Sequence, residues 1–180
     1  MTIYIALLRG INVGGHNKIK MADLKSLLEA MALQKVKTYI QSGNVLFESQ
    51  EEAIELSRRI EKEICKTFGF PVPVVLRTAD EYEQIIHNCP YSTDSLKEGE
   101  SVQLAFLAEE PSQERIDHLS SYKSDKDDFS ILGKNLYLFF RHSIRESKLA
   151  AQMPRLGVPA TVRNWNTVLK LNTLAKEMAK

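Results

Sequence analysis

Between residues 3 and 78 the apolar pattern changes period in the order strand, helix, strand, strand, helix, strand, and few small folds accept that order. IYIALL (3–8) is apolar on both faces, as an inner strand covered by helices is. Met21, Leu24, Leu27, Leu28 and Met31 then recur at helical spacing. VKTYIQ (36–41), the Ser42-Gly43-Asn44 turn and VLFE (45–48) have the composition of a β-hairpin, with Gly and Asn where positive φ is needed. Ala53, Leu56, Ile60, Ile64 and Phe68 line one face of a long helix that Gly69 closes. Pro71 and Pro73 flank its exit into a last strand, VVLRT (74–78).

From about residue 102 the order nearly recurs: VQLAFLA as a strand, a helix near 112–121, then DDFSIL and NLYLFF joined by Gly133-Lys134. Residues 79–101 between the copies hold a helix, DEYEQIIH, and a polar stretch, CPYSTDSLKEGES, that reads as a mobile loop. No repeat of residues accompanies the repeat of elements, and the second copy reads as ending in helices rather than in a final strand. The expected fold is α+β: duplicated ferredoxin-like (split βαβ) units with antiparallel sheets and covering helices, plus a C-terminal helix. The units fall at 1–78 and 102–180, with 79–101 as helix and linker.

Composition narrows the function classes. With 24 basic against 23 acidic side chains among 180 residues, the field of the whole molecule gives little support to capture of nucleic acid or an anionic membrane. No uncharged apolar stretch approaches membrane-spanning length, and the N-terminus has no basic region ahead of its short apolar run. Cys65 and Cys89 lack metal-site spacing and read as reduced thiols, so a cytoplasmic setting is expected.

Strand direction then decides which loops are neighbours. In a ferredoxin-like unit RGINVGG (9–15) leaves the C-terminal end of the first strand, the Gln41–Asn44 turn emerges at the same sheet edge, and the fourth strand begins there, bringing Gly69, Phe70 and Pro71 with it. Arg77 falls at the opposite edge. Main-chain amides of Gly10, Gly14 and Gly15 can form an anion nest backed by a helix N-terminus, with Arg9 as a bidentate charge and Lys18 and Lys20 in reach of a phosphate. The same glycines also read as a cramped turn with no ligand. Gly10 and Gly15 have Walker A spacing, but His16 and Asn17 stand where Lys and Ser/Thr are required, and GxGxxG is absent, so a standard triphosphatase or dinucleotide fold is rejected. Near the other end, TVRNWNTVLKL (161–171) places Asn164, Asn166 or Thr167 to cap a last helix; Arg163 beside a helix N-terminus suits an anion, and Trp165 suits either stacking or the core.

Together RGINVGG, TYIQSGNVLF and RNWNT resemble a family of bacterial proteins classed as a domain of unknown function, whose members begin LLRGINVGG. The resemblance spans the whole chain, with the three motifs in order. It implies an α/β protein of duplicated ferredoxin-like pieces and carries no activity or cofactor. It brings motif positions without roles: Arg9, Gly10, Asn12, Gly14, Gly15, Ser42, Gly43, Asn44, Arg163, Asn164, Trp165, Asn166 and Thr167.

Catalytic chemistry is thin. His16, His87, His118 and His142 are scattered without metal-ligand spacing, and no metal is expected. Ser42 with His16 is the one nucleophile–base pair on the same rim, and a turn serine beside a surface histidine explains it as well. Cys89 has no basic activator adjoining it in sequence. RNA-recognition domains share the element order, but here the third strand, NVLFES, carries one aromatic and an acid. Three readings therefore stand: a binder of a phosphate-bearing small molecule or nucleotide, a non-catalytic RNA- or protein-binding module, or motifs that serve structure alone.

Overall fold

The computed structural model describes residues 1–180. The chain divides into two compact units, residues 1–84 with 169–180, and residues 85–168. In the first unit β1 (Thr2–Leu8), α1 (Met21–Ala30), β2 (Gln34–Tyr39), β3 (Asn44–Ser49), α2 (Ala53–Phe68) and β4 (Val74–Thr78) follow in the expected order, and α3 (Ala79–His87) comes next. The strands make an antiparallel sheet in the order β2-β3-β1-β4. Tyr4, Ala6 and Leu8 of β1 pack into a core with Leu24 and Leu28 of α1 and Leu56, Ile60 and Ile64 of α2. Ile5 and Leu7, alternating with them, are buried as well, which is why β1 is apolar throughout. Gly69 terminates α2 in the left-handed conformation (φ 87°), its amide donating to the Cys65 carbonyl.

The second unit holds β5 (Ser101–Leu107), α4 (Gln113–Ser120), β6 (Asp127–Leu132), β7 (Asn135–Phe140), the short α5 (Lys148–Gln152) and β8 (Ala160–Asn164), in a sheet of order β6-β7-β5-β8. The last helix, α6 (Trp165–Met178), follows β8 directly. Two features correct the sequence reading. A final strand does exist: β8 pairs antiparallel with β5, from Leu107 opposite Ala160 to Gln103 opposite Asn164. Its pattern is inverted, because the buried positions are Thr161 and Arg163 while Val162 is 39% exposed.

The units also share residues, not only element order. Val72-Pro73 leads through β4 to Arg77-Thr78, and Val158-Pro159 leads through β8 to Arg163-Asn164. Each proline carbonyl accepts the amide that follows the first strand of its sheet, from Arg9 and from Ala108, both at 3.0 Å. Each arginine is 9% exposed and donates Nη1 to the carbonyl of the preceding residue at 3.0 Å. Thr78 Oγ1 accepts from the Glu81 amide, and Asn164 Oδ1 from the Thr167 amide, so each motif ends by capping the helix behind it.

Where the first unit has the long α2, the second has a turn held by a buried carboxylate. Asp127, 5% exposed, accepts from the Ser147 hydroxyl at 3.0 Å and pairs with His142 Nε2 at 2.7 Å. In the same sheet Tyr137 is buried in β7 and donates to the Ile85 carbonyl. Burial, with Cys89 nearby adding to it, pushes the Tyr137 hydroxyl up to about 12 from its ordinary value near 10. The raised value favours the neutral, folded form, so this contribution is intact below pH ~10 and is lost as pH rises through about 12. Urea midpoints measured across that window should fall, and Tyr137→Phe should flatten the fall.

Candidate functional site

The rim foreseen from strand direction exists in the first unit. RGINVGG turns back on itself as a miniature hairpin: the Asn12 amide donates to the Asn17 carbonyl at 3.1 Å and the His16 amide to Val13 at 3.0 Å. Gly14 and Gly15 sit between them with φ of 59° and 77°, the positive pair that the mirror-image two-residue turn requires. Their amides stay outside this network. Gly43 lies against the loop's base, its carbonyl accepting the Leu8 amide at 2.8 Å.

Asn12 ties the rim together. From a left-handed backbone (φ 55°) its Nδ2 donates to the carbonyls of Ile19 (3.0 Å) and Gln41 (2.8 Å), and its Oδ1 accepts the Ile19 amide at 2.8 Å. One side chain thus joins the loop, the entry to α1 and the β2–β3 turn. Asn17 Nδ2 adds a bond to the Gly10 carbonyl at 3.3 Å. Asn44, wholly buried, donates to Ser42 Oγ and to the Tyr39 carbonyl. These asparagines are engaged with their own fold.

Between these segments opens a cleft of 610 Å³, lined by Asn12, Gly15, Lys18, Ile19, Lys20, Asp23, Gln41 and Phe68. Lys18 and Lys20 are exposed and form no ion pair. Lys20 is also the N-cap of α1, with no side-chain cap over the first-turn amides. Arg9 is exposed on the same loop but does not line the cleft, nor do Ser42 and Gly43. Phe68, Gln41 and Asp23 are lining residues the sequence motifs do not include. Phe68 adjoins Gly69, which strand direction brings to this edge.

RNWNT belongs to the second unit. Arg163 is buried on β8, Asn164 caps α6, Thr167 is buried and Asn166 is exposed. Trp165, 6% exposed, offers no open face for stacking; its indole Nε1 is buried without a hydrogen-bond partner.

The second unit also provides an internal control for the glycine loop. It closes the equivalent strand end with the same pair of main-chain bonds, Leu107 to the Lys134 carbonyl (2.8 Å) and Ala108 to Pro159 (3.0 Å). Yet its first strand reaches its helix through residues 108–112, AEEPS, with no glycine, whereas the first unit uses residues 9–20. The scaffold does not require RGINVGG to close.

No helix is long and apolar enough to cross a membrane. No curated relative matches the sequence. Among solved structures the chain is similar to a conserved bacterial protein, SP0830 from Streptococcus pneumoniae, at 29% identity and a TM-score of 0.77, over 97% of this chain and 98% of that one. The family model described as "Protein of unknown function (DUF1697)" matches residues 1–137, and the chain belongs to that family.

Proposed function

We propose that the cleft beside the RGINVGG loop binds a phosphate-bearing small molecule. The observation that carries this reading is the grouping of Lys18, Lys20 and the Gly15 main chain on one concave wall of 610 Å³, a volume in the range of small-ligand sites. Two ammonium groups without protein partners attract an anion, and a glycine at φ 77° lets the main chain approach it without a side chain intervening. The shorter, glycine-free connection in the second unit argues that the first loop is kept for more than closure. The asparagines, in contrast, hold the wall and do not orient the ligand. Arg9, exposed on the same loop, adds to the positive field.

The test is a thermal-shift panel of inorganic phosphate, pyrophosphate and ribose 5-phosphate on the full chain and on a Lys18→Ala/Lys20→Ala variant. A binder at a hundred times its dissociation constant adds about 2.7 kcal/mol to stability. The expected result is a rise in melting temperature for at least one probe, removed in the double variant and only reduced in Arg9→Ala. A rise that persists unchanged without both lysines would place the anion elsewhere.

A further inference from the structure

Resting on that phosphate reading, we infer that the ligand is a nucleotide: the same cleft presents a ring wall and two hydrogen-bonding groups that a bare phosphate or a sugar phosphate does not fully use. Phe68, the last residue of α2, is half-buried, packing against the core while also lining the cleft, with the buried Ile19 among the lining residues. Apolar surface of this kind, beside an anion-attracting wall, suits a ligand that carries a flat ring on its phosphate.

Asp23 and Gln41 sharpen the choice. Asp23 and Gln41 both line the cleft, and neither side chain makes a hydrogen bond or ion pair within the protein. An isolated phosphate gains from Lys18 and Lys20 but is opposed by Asp23. A ligand that also carries hydroxyl or amino donors turns that carboxylate from a repulsive neighbour into an acceptor. Ring, donors and phosphate on one small molecule describe a nucleoside monophosphate, whose ring lies on Phe68, whose sugar or base donors meet Asp23 and Gln41, and whose phosphate meets Lys18, Lys20 and the Gly15 amide.

Titration calorimetry on the full chain separates this inference from the phosphate reading. The probes are adenosine 5′-monophosphate, uridine 5′-monophosphate, ribose 5-phosphate and inorganic phosphate; the variants are Phe68→Leu, which keeps an apolar side chain against the core, and Asp23→Asn. The nucleotides are expected to bind roughly ten- to a hundredfold more tightly than ribose 5-phosphate, the span of base-on-aromatic stacking. Phe68→Leu should erase most of that difference while leaving ribose 5-phosphate unchanged, and Asp23→Asn should weaken the nucleotides while strengthening inorganic phosphate. Equal affinity for ribose 5-phosphate and the nucleotides, or loss of both alike in Phe68→Leu, would overturn the nucleotide assignment and leave phosphate binding standing. Silence from all four probes would overturn both.

Discussion

Gly43→Ala is expected to destabilise the first unit by about 2–5 kcal/mol, a large part of what a domain of this size has. Two costs coincide. The backbone at Gly43 has φ 92°, where a β-carbon costs about 1–2 kcal/mol. That carbon would also stand 2.8 Å from Leu8 Cβ and 2.9 Å from Ile11 Cδ1, inside the packed base of the RGINVGG loop. Leu8 and Ile11 are both 1% exposed, so neither can move aside without disturbing the core. Gly10→Ala is the matched control: its φ of 73° brings a similar conformational cost, but an added β-carbon meets nothing within 4 Å. Urea unfolding followed by circular dichroism should show the Gly43 variant losing at least twice as much as the Gly10 variant. Equal losses would mean that the turn does not press on the loop as described.

The second large effect is expected at Asn12. Asn12→Ala removes three hydrogen bonds, strands the part-buried amide and carbonyl of Ile19, unties the exposed Gln41 carbonyl, and leaves alanine at φ 55°. At about 1 kcal/mol for each bond and a further fraction for the backbone, a loss of about 2–4 kcal/mol follows. Asn12→Asp separates the contributions, since it keeps the acceptor for the Ile19 amide but sets a carboxylate against two carbonyl oxygens; it should be no better than alanine. Binding should suffer more than stability. The cleft wall is built from segments that this side chain holds together, so phosphate affinity should fall by more than tenfold even at temperatures where the variant is folded. A variant that keeps both stability and affinity would refute the role of Asn12 as the tie between loop, helix entry and turn.

The first unit was legible because each element obeys its own period and is punctuated by a residue with a conformational reason. The polar face of α2 opposes Leu56, Ile60 and Ile64, and Gly69 stops the helix in the one conformation that glycine enters freely. The meeting of RGINVGG with the Ser42–Asn44 turn was legible for a different reason, since strand direction in a split βαβ unit fixes which loop ends are adjacent. β8 escaped because its burial contradicts its chemistry. Thr161 and Arg163 face inward and Val162 outward, so ATVRN looks like the polar lead-in of a helix. The residue repeat escaped because only a valine, a proline and an arginine survive in it. At the site, polarity pointed at the asparagines, but a side chain that is polar and short is also the one best able to satisfy neighbouring main chain. Phe68 was hidden by periodicity: as the last member of the apolar stripe of α2 it reads as core, and only the closeness of the helix end to the loop turns its ring toward a cleft.

The paired main-chain bonds at the two strand ends have a practical meaning for protein engineering. Leu8 and Arg9 in one unit, and Leu107 and Ala108 in the other, are held alike whether a long glycine-rich segment or a short acidic one comes next. The same two main-chain bonds therefore fix the strand end whichever segment follows it. A designer can vary the length and charge of the tip at residues 13–16, provided Ile11, which the core holds, and Asn12, which ties the turn and the helix entry, are kept.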